Sequence, residues 1–454
     1  MTPSTPAALL AIRDVDAVGV APTPCTPEAR VYERLRQSPA GADELDAIAA
    51  AAGVDGLARW MLWSGRALRR GQLVYRVVDA GGAMLADVLA LRADAPDLTR
   101  VLPAPTAPLR LSRFAILRRR GKTLVLEMPF ATTRAELAAC AVALIAIADG
   151  TRTLEEIAKD EADPAAVRTL LAALAVCGFL VDVDADGFAA EDRDRVRSQW
   201  ESHDLVLHAR TRTARAGEHR GGTFRFVPER AAPPALRHPV GTPAIALARP
   251  DLDRLIAADV PFASVMEART SRRRFGRLDA RQLGEFLYRT VRVRTQIPAG
   301  TDPRAYARTD RPYPGGGGMY ELTTYLGIAD CEGIAAGLYR YDPVAHGLDL
   351  VAPPGPAIDR LLDDARGASA AEDRPPVLVL LAADFSRLSW KYEGIAYATT
   401  LKNVGVLFAT MQLVAAAMGL GSCPLGGGDS ETFAAATGLD PLEETTVGEL
   451  MLGA

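Results

Sequence analysis

The stretch that decides the fold is PVLVLLAADFSRLSWKYEGIAYATTLKNVGVLFATMQLVAAAMGL, residues 376–420. Its opening PVLVLLAA is apolar without a break, the pattern of a strand covered on both faces. From residue 389 the pattern turns helical. The run 404–420 is apolar on nearly all sides, with Thr410 and Gln412 inside it. That run is short for a membrane span and reads as a buried helix. Working outward, TTVGELML (445–452) reads as a last strand. On the N-terminal side lie strand patterns LTTYLGIA (322–329) and GLYRYD (337–342), then a turn at His346-Gly347 into LDLV, and a helix near Ile358. Asp279 with Gln282, and Ser264 with Glu267, have capping-box spacing and mark helix starts. Helices around an antiparallel or mixed sheet make an α+β domain, placed at 251–454.

The N-terminal half reads differently. Residues 1–26 are rich in Ala, Pro and Thr and read as a flexible arm. Residues 27–105 hold three short helical patterns, then LVYRVVD, a turn at Ala80-Gly81-Gly82 and a second strand, a winged-helix-like unit. Residues 106–188 read as a second such unit. LRLSRFAILRRR and TLVLEMP form its hairpin across Gly121-Lys122, and Thr133 with Glu136 suggests a helix start. Thr153 with Glu156, and Asp163-Pro164, open further helices. Residues 189–250, rich in Arg, His, Gly and Pro, read as an extended linker wrapping the next domain or as a loose tether, with Trp200, Phe224 and Phe226 favouring contact.

Composition excludes several classes. The chain has 454 residues, 49% of them hydrophobic, and a net charge of −4, so nothing favours nucleic acid or an anionic membrane as partner. The first residues lack the basic and apolar regions of a signal peptide. Five scattered cysteines form no CxxC pair, which fits a reducing cytoplasm, and the histidines show no metal-ligand spacing. Of 52 basic residues only four are lysines: Lys122, Lys159, Lys391 and Lys402. Lysine can be tuned to lose its proton where arginine cannot, so each retained lysine invites a question.

Four motifs carry chemistry. RTSRRRF (269–275) packs guanidinium groups and hydroxyls as a phosphate requires, or forms a solvated basic face. RPYPGGGG (311–318) allows close backbone approach to a planar or charged ligand, but it is neither a dinucleotide fingerprint nor a P-loop. WKYE (390–393) sets Lys391 beside Tyr392. Lys391 is either a base with a lowered pKa or a surface partner of Glu393. CPLGGGD (423–429) offers backbone N–H groups to an electron-rich ring atom, with Cys423 a small buried hydrophobe.

In this order the four motifs resemble the flavin-dependent nitroreductase superfamily. Together with HDLVLHARTRTARAGEHRGGTF, SWKYEGIAY and VGELMLG they resemble its SagB-type thiazoline/oxazoline dehydrogenases, over roughly residues 200–454. The two N-terminal units resemble the peptide-clamp modules fused to some members. The resemblance implies a nitroreductase-like fold, noncovalent FMN and a homodimer with the flavin at its interface. It implies FMN phosphate binding by Arg269, Ser271 and Arg273, and flavin contacts from Pro314, Gly315, Gly316 and Gly317 and from Pro424, Leu425, Gly426 and Gly427. Substrate proton handling falls to Lys391 and Tyr392. The implied substrate is a leader-bearing precursor peptide whose rings a YcaO-type cyclodehydratase has made.

Three departures stand out. Gly315 replaces a common serine, Ala409 stands where glutamine is expected, and the sequence ends just after the last strand, which puts the phosphate load on 269–274. Two other functions fit less of the chain. A general NAD(P)H-dependent nitroreductase leaves 27–187 without a task, and a non-catalytic peptide-binding partner leaves Lys391 without one.

Overall fold

The structure is a computed structural model describing residues 8–13, 21–212, 219–237 and 243–454. It divides into two compact units, residues 1–219 and 220–454.

The C-terminal unit is built on a seven-stranded sheet. Its strands run in the order Ile245–Ala246, Gly347–Ala352, Gly337–Asp342, Leu322–Ile328, Val377–Asp384, Glu444–Gly453 and Gly421–Pro424, each antiparallel to its neighbour. Parallel character enters at the margin, where Ser271 bridges Ser422 and Leu278–Asp279 pairs with Cys331–Glu332. Val377–Asp384 sits centrally and every residue in it is buried. Successive side chains point to opposite faces. Val377, Val379, Leu381 and Ala383 meet Val404, Leu407 and Met411 of helix Ala396–Ala417 and Leu283 and Phe286 of helix Ala280–Val291. Leu378, Leu380 and Ala382 meet Leu361 and Leu362 of helix Pro356–Ser369, and Phe433. This double burial is why the strand reads as an unbroken apolar run.

Helix Ala396–Ala417 is long and apolar enough to cross a membrane by length and composition, though only a third of its most apolar window is buried. The helical region expected from residue 389 is two helices, Phe385–Lys391 and Ala396–Ala417, parted at Gly394, whose φ of +71° favours glycine. The Asp279–Gln282 capping box forms. The Ser264–Glu267 box does not, because helix Phe262–Ala268 already begins two residues before Ser264.

In the N-terminal unit the expected helices appear as Pro27–Gln37, Ala42–Ala50, Val54–Arg69 and Pro164–Val176. Three expectations fail. Thr133–Leu137 is a strand, not a helix start, because its residues pair across to Met84–Ala90 on one side and Thr123–Glu127 on the other, with four of the five buried. That pairing also joins what reads as two winged units into one six-stranded sheet, so strand pairing crosses the boundary expected at 105. Leu9–Ile12, within the supposed flexible arm, is an edge strand of the same sheet on Leu73–Val78, with three of its four residues buried. The rest of the arm lies largely outside the described residues.

The stretch 189–250 is not one extended linker. It contains helix Ser202–Arg212, and Trp200 stacks on His208 within the N-terminal unit. Residues 220–237 instead form a strap on the C-terminal unit. One guanidinium pins this strap. Arg387 is 1% exposed and donates to the Met319 carbonyl at 2.9 Å and to the carbonyls of Pro233 and Pro234 at 2.7 and 2.6 Å. Replacing Arg387 with methionine leaves these carbonyls without their donor. The expected cost is about 2–4 kcal/mol in urea unfolding, with new protease cleavage within 220–237. An unchanged midpoint would show that the strap is held otherwise.

Candidate active site

The short helix Phe385–Lys391 starts at Asp384, whose side chain caps the Ser386 N–H at 3.0 Å. It ends with Lys391, and Tyr392 follows as its cap. Trp390 is buried and meets Phe224 edge-on at 5.4 Å, while its indole N–H donates to the Arg230 carbonyl at 2.9 Å. The strap adds backbone pairing: Phe224 N donates to Lys391 O, and Gly221 and Glu393 exchange both bonds. Phe226 stacks under the guanidinium groups of Arg225 and Arg230.

The glycine loop comes to this helix end. Gly317 has a φ of +64°, and a Cβ built there would lie 2.3 Å from Tyr392 Oη and 2.6 Å from Lys391 Nζ. The two proton-bearing groups therefore rest directly on a backbone that only glycine permits. Gly316 approaches helix Ala396–Ala417 as closely, its Cβ position being 2.5 Å from Thr399 Cγ2. Its N–H donates to Asn403 Oδ1 at 3.0 Å, and Asn403 donates in turn to Glu321 at 2.8 Å. Burial pushes the Glu321 carboxyl upward against that hydrogen bond. Gly315 faces the Tyr320 ring, with its Cβ position 3.0 Å away. A serine there would crowd the tyrosine, which accounts for glycine in this chain. Pro314 leads into the loop.

Lys391 does not sit in the environment expected of it. Burial lowers its proton affinity, but hydrogen bonds to Tyr306 and Tyr392 outweigh burial and move its pKa up, not down. Its Nζ donates to Tyr306 Oη at 2.6 Å and lies near the rings of Tyr306, Tyr392 and Phe224. The amine at rest is an ammonium. Glu393 is not its partner: that carboxylate accepts from Thr223 and lies near Arg225.

The arginine segment lies elsewhere along the same long helix. After helix Phe262–Ala268 the chain runs extended beside strand Gly421–Pro424, with Arg272 N donating to Ser422 O at 3.0 Å. Ser271 faces Gln412, whose amide comes to 3.5 Å of the hydroxyl. Arg269, Arg272 and Arg273 are exposed and have no carboxylate partner among the described residues, whereas Arg274 pairs with Glu372. Thr399 and Gln412 mark the glycine loop and the arginine segment, about 20 Å apart at helical rise.

The loop after Pro424 starts with Leu425 N bonded to Glu449 O, and Gly428 packs against the Glu449 carboxylate. It lines a cleft with Leu361 and Ala365, on the side of helix Pro356–Ser369. Gly426 and Gly427 leave open space where a Cβ would be. Cys423 is buried, as a small hydrophobe would be.

Sequence reasoning singled out the loop, the Lys391–Tyr392 pair and the arginines, and passed over Tyr306, Asn403, Glu321 and Arg387, which the structure places around them. The TQI–RTD hairpin just before the glycine loop, Thr295–Ile297 with Arg308–Asp310, was the available pointer to Tyr306.

Residues 278–454 match the Nitroreductase family and residues 109–217 match the family described as Cyanobactin oxidase ThcOx. A Methanocaldococcus jannaschii protein described as a nitroreductase is 26% identical over 157 residues, 33% of this chain and 69% of that protein. Among solved structures, a Ralstonia eutropha nitroreductase is 22% identical (49% of this chain, 93% of that chain, TM-score 0.36). The Escherichia coli microcin synthetase McbBCD complex with truncated pro-MccB17 bound contains a chain 21% identical (49% and 87%, TM-score 0.33). A Desulfovibrio desulfuricans nitroreductase in complex with FMN is 17% identical (43% and 87%, TM-score 0.28).

Replacing Gly317 with alanine is expected to destabilise the protein by about 1–3 kcal/mol and to displace the Lys391–Tyr392 pair. Urea unfolding and faster acylation of Lys391, read by peptide mass spectrometry, check this. Gly426→Ala, in open space, serves as the control that changes neither.

Proposed function

We propose that this chain, a nitroreductase domain preceded by a cyanobactin oxidase segment, is an FMN-dependent azoline dehydrogenase. It oxidises thiazoline or oxazoline rings to thiazoles or oxazoles in a ribosomally made, leader-bearing peptide. One observation carries the reading: Lys391 and Tyr392 sit on Gly317, so proton-handling groups meet a glycine loop that a planar ligand can approach.

The donor set fits FMN. Arg269 and Arg273, exposed and without carboxylate partners among the described residues, are available with Ser271 to hold a phosphate. Gly426 and Gly427 after Pro424 and Leu425 leave backbone open to a flat ring, while Gly315 to Gly317 after Pro314 carry the pattern of a flavin-contacting loop, backed by Tyr320, Thr399 and the Lys391–Tyr392 pair. FMN held by these residues would supply the hydride acceptor for azoline oxidation. The chain's own residues must take the accompanying proton. With Lys391 an ammonium at rest, its amine becomes a base once it has lost one proton, with the Tyr392 hydroxyl beside it on Gly317. Activity should therefore rise with pH. The strap, through Phe224, shields this cluster from water.

A YcaO-type cyclodehydratase supplies the rings, and residues 27–187 take the leader. Strand Ile116–Arg120 pairs on one side only and is largely exposed, so an extended peptide can join it. A second copy of the chain completes the site. Ile256 (81% exposed), Phe262 (69%) and Met266 (50%) present an apolar face continuous in sequence with the arginine segment.

The test is the FMN-loaded protein with a leader-bearing azoline peptide, which should lose ~2 mass units per ring. Lys391→Arg keeps the cation but will not yield a proton, so turnover should fall about 10²–10⁴-fold with FMN retained. Full activity in that variant would overturn the assignment. Separately, Phe262→Asp should give a monomer by light scattering with weakened FMN retention. A dimer with full flavin content would place the interface elsewhere.

A further inference from the structure

Tyr306 lies outside every motif singled out by sequence. Its hydroxyl makes two hydrogen bonds of 2.6 Å, accepting from Lys391 Nζ and donating to the carbonyl of Gly317. Its ring faces Nζ with the centroid at 4.9 Å and meets Trp390 edge-on at 6.0 Å. It is half-buried, in the segment that leads into strand Arg308–Asp310.

We propose that Tyr306 is a positioning residue for the proton chemistry: its hydroxyl ties the Lys391 amine to the Gly317 carbonyl and governs when that amine gives up its proton. The inference rests on the reading of Lys391 as a proton-handling group.

The surroundings of the amine leave this role to few groups. Tyr392 faces it from the end of its own helix and Phe224 faces it from the strap. Arg304 lies against the same Phe224 ring. The glycine loop brings only backbone. Glu393 accepts from Thr223 and faces Arg225, and among the described residues no carboxylate pairs with Lys391. The two phenols are thus the acceptors that stabilise the ammonium against burial. Of the two, Tyr306 is the one whose other hydrogen bond reaches the glycine loop. Remove its oxygen and burial has less to oppose it, so the amine releases its proton at lower pH. The same deletion cuts the tie between the amine and the loop.

The experiment compares Tyr306→Phe with the parent, both FMN-loaded, across pH. The substitution keeps the ring, and FMN absorbance with the unfolding midpoint reports that the fold is kept. The first readout is the stopped-flow rate of flavin bleaching by an azoline peptide. Its rise with pH should move about 1 unit lower in Tyr306→Phe, and its plateau should drop several-fold. A merely structural tyrosine would lower the rate without moving the rise. The second readout needs no turnover: trinitrophenylation of Lys391 against pH, quantified by peptide mass spectrometry. Its midpoint should move in the same direction. A Lys391 labelling midpoint that stays put or moves up in Tyr306→Phe overturns the inference, even where the parent oxidises azolines. A midpoint that moves down in a protein without azoline turnover upholds Tyr306 as the positioning residue and sinks the azoline reading instead.

Discussion

A buried guanidinium hydrogen-bonded to backbone carbonyls ties the glycine loop and the strap to one short helix. Arg387 is buried on the same seven-residue helix that ends in Lys391, and its donors reach Met319, just after the glycine loop, and Pro233 and Pro234 in the strap. Burying a cation without a carboxylate is costly unless its N–H groups are all met. Here the acceptors come from the strap and from the end of the 3-10 turn Gly316–Gly318. Each is therefore fixed relative to the helix by the same group. A single side chain thus links the glycine loop and the strap to the helix that ends in Lys391.

Asn403 does comparable work from the long helix. It accepts from Gly316 and donates to Glu321, so a buried amide ties loop, helix and strand entry. The Glu321 carboxyl is pushed up by burial, and Asn403 is what makes its presence tolerable. The glycines are thus not slack. Gly315, Gly316 and Gly317 are each pressed against a different partner, namely Tyr320, Thr399 and the Lys391–Tyr392 pair.

Much of this was legible in the sequence where physics is local. The doubly buried strand, the Asp279–Gln282 cap and the Gly121-Lys122 turn follow from neighbouring residues alone. What failed depended on distant partners. Thr133 and Glu136 have capping spacing, but Met84–Ala90, far upstream, claims them for a strand. Lys391 beside Trp390 suggests a depressed pKa. Of the two phenols that reverse the direction, Tyr392 is adjacent, but Tyr306 is 85 residues away in sequence and carries no motif. Leu9–Ile12 looks like loose chain until Leu73–Val78 offers it an edge. Local pattern marked the residue types of the site, while protonation and fine geometry came from long-range contacts that one sequence does not display.

The six-stranded sheet of the N-terminal unit has a consequence for heredity and engineering. Two halves that look like tandem repeats share one hydrogen-bonded ladder, because Thr133–Leu137 lies between Met84–Ala90 and Thr123–Glu127. A crossover at residue 105 would sever that ladder and leave two raw edges, each prone to pairing with a stranger. An exchange that keeps this sheet intact has to move the whole block from Leu9 to Leu137 together.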